Sequence, residues 1–153
     1  MKKTILITGA GTGIGKDAAF ALALRGHRVL ATTQTEAQSN ALKAESTQRN
    51  IVLEIFKLDI TQEADRESIS AYPIDVLINN AGMGESGSLA EVDMQRVRQI
   101  FEVNLFSTLA LTQVALRGMI ARERGSVLFV SSIAGRIPMP FLMPYSMSKF
   151  ALS

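Results

Sequence analysis

The sequence contains no cysteine and a single histidine, so several kinds of site are excluded at the outset. Without cysteine, the chain can form neither a disulfide nor a thiolate metal site. The one histidine, His27, stands between Gly26 and Arg28 in a pattern typical of a surface turn. We therefore predict that the protein has no metal site.

The chain also lacks a run of basic residues and a long apolar segment. Its 16 lysines and arginines are interleaved with 14 acidic residues, which leaves a net charge of +2 and no patch suited to nucleic acid. No apolar stretch reaches the roughly 18 residues of a membrane span. The apolar run after Lys3 is interrupted by Thr8 and Gly9, too early for a signal peptide. We predict a cytoplasmic protein with neither a nucleic-acid partner nor a membrane partner.

Short β-rich apolar runs alternate with longer helical patterns along the chain. The length of 153 residues and the apolar share of 47% suit a single globular domain, which we assign to residues 1–153. Strands that are apolar at successive positions are buried on both faces, as in a parallel sheet. We predict a doubly wound, Rossmann-like α/β fold. The predicted strands cover residues 4–8, 29–33, 51–58, 76–79 and 127–130, and the predicted helices cover residues 15–24, 37–45, 62–70 and 93–122.

A glycine-rich turn joins the first predicted strand to the first predicted helix. A strand, a glycine turn and a helix N-terminus favour pyrophosphate binding, because backbone N–H groups and the helix dipole face the phosphates. Lys16 is followed by Asp17, so the turn is not a P-loop. The alternative is a tight strand–helix turn without a ligand. The turn contains four glycines within seven residues, namely Gly9, Gly11, Gly13 and Gly15.

Two polar segments follow later strands of the predicted sheet. Asp59 follows the third strand, where its carboxylate could accept a hydrogen bond from an adenine amino group or instead belong to the turn before the next helix. Asn80, Ala81 and Gly82 follow the fourth strand at the carboxyl edge of the sheet, where open α/β folds bind ligands. The asparagine could also satisfy loop backbone alone.

The fourth predicted helix carries an asparagine on its apolar side. We expect Asp93 to cap this helix and Gly125 to end it. Asn104 lies one heptad after Val97, on the apolar stripe. A buried amide without partners costs about 1–3 kcal/mol, so Asn104 must have partners. Those partners could serve either helix packing or function.

Tyr145 and Lys149 form a Tyr-x-x-x-Lys motif, and Ser132 stands thirteen positions before the tyrosine. Residues four apart on a helix share one face, so the two side chains are expected to lie together. A tyrosine hydroxyl ionises near about pH 10. A unit positive charge about 4 Å away stabilises the ionised tyrosine by roughly 4 kcal/mol at an effective dielectric constant of about 20. This stabilisation is large enough to lower the tyrosine pKa into the range that general acid–base catalysis near neutral pH requires. By itself, such a pair is more often only a surface pair.

The order and spacing of these motifs resemble the short-chain dehydrogenase/reductase family, whose members depend on NAD(P). The resemblance extends from Thr4 to the last residues, and it implies a strand order of 3-2-1-4-5. It also implies reversible hydride transfer between a nicotinamide and a small-molecule carbonyl or secondary alcohol, with Asp59 contacting the adenine. The catalytic tetrad that the resemblance implies consists of Asn104, Ser132, Tyr145 and Lys149.

The resemblance also assigns a role to each member of this tetrad. Tyr145 would transfer the hydroxyl proton, and Ser132 would hydrogen-bond the substrate oxygen. Lys149 would hold the ribose hydroxyls, and Asn104 would support a water relay behind it. Ser131 is adjacent to Ser132, but the offset of thirteen residues from Tyr145 selects Ser132.

The end of the second strand bears on the choice of cofactor. NAD-preferring proteins place a carboxylate there for the ribose 2′-hydroxyl, whereas this chain has Thr33 and Gln34. The missing acid favours NADP(H), although no arginine stands at Thr12, Thr33 or Gln34 to pair with a 2′-phosphate. Use of NAD(H) stays open. The predicted cofactor-binding residues are Gly9, Gly11, Thr12, Gly13, Ile14, Gly15, Thr33, Gln34, Asp59, Asn80, Ala81, Gly82, Tyr145 and Lys149.

Members of the resembled family continue with two further strands and a substrate-binding loop. We therefore expect a chain without the family's C-terminal third, no measurable turnover from these residues alone, and a homo-oligomer for the longer protein. A non-catalytic dinucleotide-binding domain or an inactive fragment is the alternative. The apolar segment 137–144, just before Tyr145, suggests either a lipophilic substrate or a subunit contact.

Overall fold

The computed structural model describes residues 1–153, and its strands form a single five-stranded parallel sheet. The strands are β1 (Thr4–Ile7), β2 (Arg28–Thr33), β3 (Glu54–Lys57), β4 (Val76–Asn79) and β5 (Ser126–Phe129). Their order is β3-β2-β1-β4-β5. This order and the helices on both faces confirm the predicted doubly wound, Rossmann-like fold. The helices are α1 (Gly13–Leu24), α2 (Glu36–Gln48), α3 (Glu63–Ser68), α4 (Met94–Phe101), α5 (Thr108–Ala121) and α6 (Met143–Leu152), and a π-helical segment (Glu102–Ser107) joins α4 to α5.

Both faces of the central strand β1 are buried, and each face belongs to a separate apolar core. Leu6 packs in a cluster with Leu111 of α5, whereas Ile7 packs in a second cluster with Phe20 of α1 and Leu42 of α2. Alternating side chains of a strand point to opposite faces, so continuous apolar runs are what a sheet between two helical layers requires. The two cores hold the carboxyl ends of the strands in place, and the site described below lies at those ends.

The sequence prediction for the long helix is correct at its N-terminus and wrong at its C-terminus. Asp93 caps α4, and its carboxylate accepts a hydrogen bond of 2.9 Å from the backbone N–H of Gln95. The prediction that Gly125 ends the helix is wrong, because α5 already ends at Ala121. Glu123 adopts the left-handed conformation with φ of 52°, and the N–H of the next residue bonds to the carbonyl of Met119. This Schellman arrangement does not need the glycine.

Strand β3 is shorter than the sequence indicated. It covers Glu54–Lys57, whereas the apolar pattern predicted residues 51–58. Pairing with β2 begins only at Glu54, which lies opposite Leu30. Val52, within the predicted strand, is 88% exposed. The apolar residues just before Glu54 therefore have no partner in β2 and lie outside the strand.

The continuous helix Met94–Ala121 is long and apolar enough to cross a membrane by length and composition alone, although polar residues interrupt its apolar sequence. Its most apolar stretch of 18 residues has a mean hydropathy of 1.2, and 44% of that stretch is buried inside the protein. Leu111, Val114 and Met119 of this helix belong to one of the two cores. A core helix that packs on a sheet accounts for this composition.

We expect Gly15→Ala to destabilise the fold, although alanine is the better helix former by about 1 kcal/mol. A Cβ at Gly15 would collide with Nδ2 of Asn80 and would lie 2.6 Å from the carbonyl oxygen of Gly9. Overpacking of this kind costs about 1–3 kcal/mol, so the urea midpoint should fall. Gly87→Ala is the matched control, because a Cβ there meets nothing within 4 Å. An unchanged midpoint for Gly15→Ala would contradict this packing.

Candidate functional site

The ends of β1 and β4 are joined by a dense set of hydrogen bonds. The buried hydroxyl of Thr8 accepts hydrogen bonds from the backbone N–H groups of Asn80 (3.0 Å) and Ala81 (2.9 Å). In return, the side-chain amide of Asn80 donates to the carbonyls of Thr8 (2.9 Å) and Gly9 (3.1 Å). Asn80 thus satisfies loop backbone, and these bonds also hold open one cleft between the glycine turn and the loop after β4.

The cleft has a volume of about 800 Å³ and lies at the carboxyl edge of the sheet. Most of the predicted cofactor-binding residues line it: Gly9, Gly11, Thr12, Ile14, Thr33, Gln34, Asp59, Asn80, Ala81, Gly82, Tyr145 and Lys149. Gly13 and Gly15 shape the turn without lining the cleft, and Asn104 and Ser132 also lie outside the wall. The structure therefore brings the glycine turn, Asp59 and the Tyr-Lys pair to one cavity.

The N-terminus of α1 presents free backbone donors beside the glycine turn. Thr12 precedes the helix, but its side chain makes no capping hydrogen bond. The first N–H groups of a helix have no partner within the helix, so an anion can accept them. Gly13 begins the helix with φ of 54°, a left-handed conformation that side chains rarely adopt. The local backbone thus suits a phosphate group.

Asp59 serves the turn before α3 and also faces the cleft. Its Oδ1 atom accepts hydrogen bonds from the backbone N–H (3.0 Å) and the hydroxyl (2.8 Å) of Thr61. The second carboxylate oxygen, Oδ2, receives no hydrogen bond from the protein, and Asp59 lies in the cleft wall with Leu58 and Ile60. The turn role and the ligand role were alternatives in the sequence, but the geometry allows both, because each uses a different oxygen.

Thr33 lies at the cleft, but its hydroxyl already makes hydrogen bonds within the protein. It is 1% exposed, donates to the carbonyl of Thr35 at 3.0 Å, and lies 2.7 Å from the hydroxyl of Ser39. Gln34 is exposed at the same edge. Gln38, which the sequence did not single out, lies beside them in the cleft wall. It belongs to the capping box of α2 with Thr35.

Asn104 lies in the π-helical segment and connects three parts of the structure. Its Oδ1 atom accepts from the N–H of Met83 at 2.8 Å, and its Nδ2 atom donates to the Met83 carbonyl at 2.8 Å and to the Ser148 hydroxyl at 2.9 Å. Both amide hydrogens are thus in use, and the side chain is 1% exposed. Asn104 therefore positions the loop after β4 against α6, with Gly82 between its amide and Lys149.

Lys149 is a buried ammonium group at the inner end of the cleft. It is 4% exposed, and Nζ donates a hydrogen bond of 2.8 Å to the carbonyl of Val130. Nζ lies 5.8 Å from the centre of the Tyr145 ring, which confirms that α6 brings the two side chains together. Burial lowers the pKa of Lys149. Both residues line the cleft.

Ser132 and Ser131 follow β5 in different environments. The Ser132 hydroxyl accepts a hydrogen bond of 3.2 Å from the N–H of Ala134 and so caps a short 3-10 helix. Ser131 lines the cleft, and its hydroxyl contacts the Lys149 carbonyl at 3.3 Å and the Ser153 hydroxyl at 2.6 Å. In the chain as described, Ser131 therefore faces the cleft and Ser132 serves the turn.

Several residues of the cleft wall were absent from the sequence prediction. Gln38 could have been found from the Thr-x-x-Gln capping pattern that follows β2. Other omitted residues reach the cleft through tertiary contacts that no local pattern indicates, and they include Thr61, Met83, Gly84 and, in α4, Arg96. Arg96 forms an ion pair with Glu85 at the cleft and so joins α4 to the loop after β4.

The apolar segment 137–144 does not line the cleft in this structure. Ile137 and Phe141 are 57% and 69% exposed. The Phe141 carbonyl accepts a hydrogen bond of 2.8 Å from the N–H of Gly87, so this segment is attached to the loop after β4. It therefore forms an outer apolar surface beside the cleft.

Sequence comparison gives relatives over the whole chain. The family model for short chain dehydrogenase matches residues 3–153. A very-long-chain 3-oxoacyl-CoA reductase of Phaeosphaeria nodorum is 34% identical over 94% of this chain and 46% of its own length. An uncharacterized oxidoreductase of Bacillus subtilis is 36% identical over 99% of this chain and 56% of its own length. The chain thus spans about half the length of the curated relatives it matches.

Solved structures also superpose on this chain over nearly its whole length. The F189W variant of actinorhodin polyketide ketoreductase, solved with NADPH, superposes with a TM-score of 0.92 at 28% identity. The match covers 99% of this chain and 61% of that one. A short-chain dehydrogenase from Streptomyces avermitilis gives a TM-score of 0.88 at 30% identity, with 99% of this chain and 57% of that one covered.

We expect the burial of Lys149 to appear in the pH dependence of stability. Because burial lowers its pKa, the folded protein releases this proton at a lower pH than the unfolded chain. Stability should therefore rise with pH through the folded pKa toward the unfolded value of about 10.4. Lys149→Met removes this contribution, so the urea midpoint of the wild-type protein should gain on that of the variant as the pH rises toward about 10.4. Parallel curves would argue against a buried ammonium.

Proposed function

This chain belongs to the short-chain dehydrogenase/reductase family, and we propose that the whole protein is an oxidoreductase that transfers a hydride between a nicotinamide dinucleotide and a small-molecule carbonyl or secondary alcohol. The observation that carries this proposal is that one cleft contains the glycine turn, Asp59, Tyr145 and Lys149. NADP(H) is the proposed cofactor ahead of NAD(H), because Thr33 and Gln34 stand at the end of β2 in place of a carboxylate. The proposal concerns the whole protein, since this chain spans about half of its curated relatives.

The residues of the cleft fit such a dinucleotide along its length. The uncapped N-terminus of α1 would hold the pyrophosphate, and Gly11 and Ile14 lie beside it in the wall. Asp59 would accept the adenine amino group through Oδ2 in a slot flanked by Leu58 and Ile60. A cleft of about 800 Å³ is within the size range of small-molecule and cofactor sites.

At the other end of the cleft, Tyr145 is the proposed proton donor to the carbonyl oxygen, or the acceptor from the alcohol. When bound, the nicotinamide supplies or accepts the hydride. The buried ammonium of Lys149 favours a negative charge nearby, because few other groups screen it, and it would also hold ribose hydroxyls. Ser132 is the proposed hydrogen-bond partner of the substrate oxygen. To take this role, its hydroxyl would give up the hydrogen bond that it accepts from the N–H of Ala134.

Asn104 has a positioning role in this proposal. Its amide holds the Met83 backbone and Ser148, which precedes Lys149 in α6. A water relay behind Lys149 would have to use other donors in this region, because both amide hydrogens of Asn104 are in use. The proposed substrate is lipophilic, in keeping with the exposed apolar residues of segment 137–144 beside the cleft and with the relative described as a very-long-chain 3-oxoacyl-CoA reductase.

Asp59→Asn should weaken NADPH binding about tenfold while the turn is kept, because the remaining side-chain oxygen can still accept from Thr61. The variant replaces an acceptor by an amide donor toward the adenine amino group. The hypoxanthine analogue of NADPH carries an acceptor there, so Asp59→Asn should bind this analogue better than the wild-type protein does. Fluorescence titration with both dinucleotides measures the exchange. Identical preferences in the two proteins would rule out the adenine contact.

Tyr145→Phe should lower the turnover of the longer protein by about 10²–10⁴, since it removes the proposed acid–base group and keeps the ring. The assay is NADPH-dependent reduction of a long-chain 3-oxoacyl thioester, with NADPH affinity measured in parallel. Tyr72→Phe makes the same chemical change at a ring that stacks on Phe56, 5.5 Å between centroids, away from the cleft. Near-normal turnover of Tyr145→Phe would refute the role of Tyr145 in proton transfer, whereas NADPH binding without turnover by the wild-type protein would favour a binding function.

A further inference from the structure

We propose that Gln38 selects the phosphorylated cofactor, because its amide nitrogen offers the ribose 2′-position a free hydrogen-bond donor, while its own amide oxygen and the Thr33 hydroxyl are already used within the protein. This inference rests on the proposed function, which places the adenosine ribose between the glycine turn and the end of β2. Gln38 lines the cleft, and its Cδ atom lies 3.7 Å from the Cβ position that Gly11 would have. The carboxamide therefore lies against the glycine turn.

The orientation of the Gln38 amide is determined by its neighbours. Its Oε1 atom accepts hydrogen bonds from the backbone N–H groups of Gln34 (3.1 Å) and Thr35 (3.2 Å). Both neighbours are donors, so the oxygen must face them and the NH₂ group must face away. An amide oxygen has two lone pairs, and both are in use. Nε2 donates to no protein group and remains available at the cleft.

The hydroxyl of Thr33, the last residue of β2, is also used within the protein. The Thr33 hydroxyl donates to the Thr35 carbonyl and pairs with Ser39 inside the protein. A 2′-hydroxyl needs an acceptor for its hydrogen, which a carboxylate supplies in NAD-binding proteins. A 2′-phosphate brings only acceptor oxygens, so it matches a free amide donor. The arrangement therefore favours the phosphorylated dinucleotide.

Recognition here would not depend on a positive side chain. Lys57 pairs with Thr33 in the sheet, but its ammonium is bound by Asp65 at 2.7 Å. Glu36, in the first turn of α2, adds a negative charge to the same edge. A neutral donor beside a helix N-terminus can still bind a phosphate, although less strongly than a charge-assisted contact. The selectivity of the wild-type protein should accordingly be moderate.

The test is Gln38→Glu, which changes the chemistry of one atom. A Thr-x-x-Glu sequence is itself a capping box, so one carboxylate oxygen can keep the bonds to Gln34 and Thr35 while the other replaces Nε2. The dissociation constants of NADPH and NADH are measured by fluorescence titration for the longer wild-type protein and its Gln38→Glu variant. The ratio should shift toward NADH by about tenfold or more, with an unchanged melting temperature.

Gln48→Glu is the matched control, because it adds the same charge at the far end of α2, outside the cleft. It should leave the ratio within about twofold of wild type, which is under about 0.5 kcal/mol. If both dinucleotides bind and Gln38→Glu does not move the ratio, Gln38 is not the selecting residue. An equal shift in Gln48→Glu would overturn the inference too, since a remote charge would suffice. A longer wild-type protein that bound neither dinucleotide would overturn the proposed function itself.

Discussion

The hydrogen bonds between Thr8 and Asn80 are the contact on which the site depends. A parallel sheet aligns the strands but does not set the paths of the loops beyond them. Here one hydroxyl accepts two backbone N–H groups, and one amide returns two bonds to the carbonyls of Thr8 and Gly9. Gly15 must lack a side chain because this amide occupies the space beside it. The turn, the start of α1 and the loop after β4 are therefore positioned as one unit.

The other end of the cleft is organised at a cost in stability. Lys149 is buried without a carboxylate partner, and such an arrangement disfavours the charged form. Its neighbours are held by a π-helical segment whose extra residue per turn brings Asn104 to Met83 and Ser148. π-helical turns are rare and occur often at functional sites. The fold thus retains two unfavourable local features, the buried Lys149 and the π-helical segment, at the same place. Packing alone does not require either of them, whereas a functional site accounts for both.

The parts of the structure that depend on local patterns could be predicted from the sequence, and the parts that depend on pairing could not. The strand order, the glycine turn and the Asp93 cap follow from periodicity, residue type and the family resemblance. The length of β3 did not follow, because an apolar run does not reveal where the neighbouring strand begins to pair. Gly125 was a reasonable helix end, but Glu123 takes the left-handed conformation first. The wall residues Met83, in the loop after β4, and Arg96, in α4, reach the cleft through tertiary contacts.

The same distinction separates the two halves of the cleft. The nucleotide half is built from backbone groups, helix ends and glycines, and these depend on the fold more than on individual side chains. It can therefore persist among relatives at 28–36% identity. The proposed substrate half is bounded by the loop after β4, and segment 137–144, outside the cleft wall, is linked to that loop through the Gly87 to Phe141 hydrogen bond. Cofactor recognition should then be shared widely by proteins of this fold, whereas substrate choice changes with these two loops.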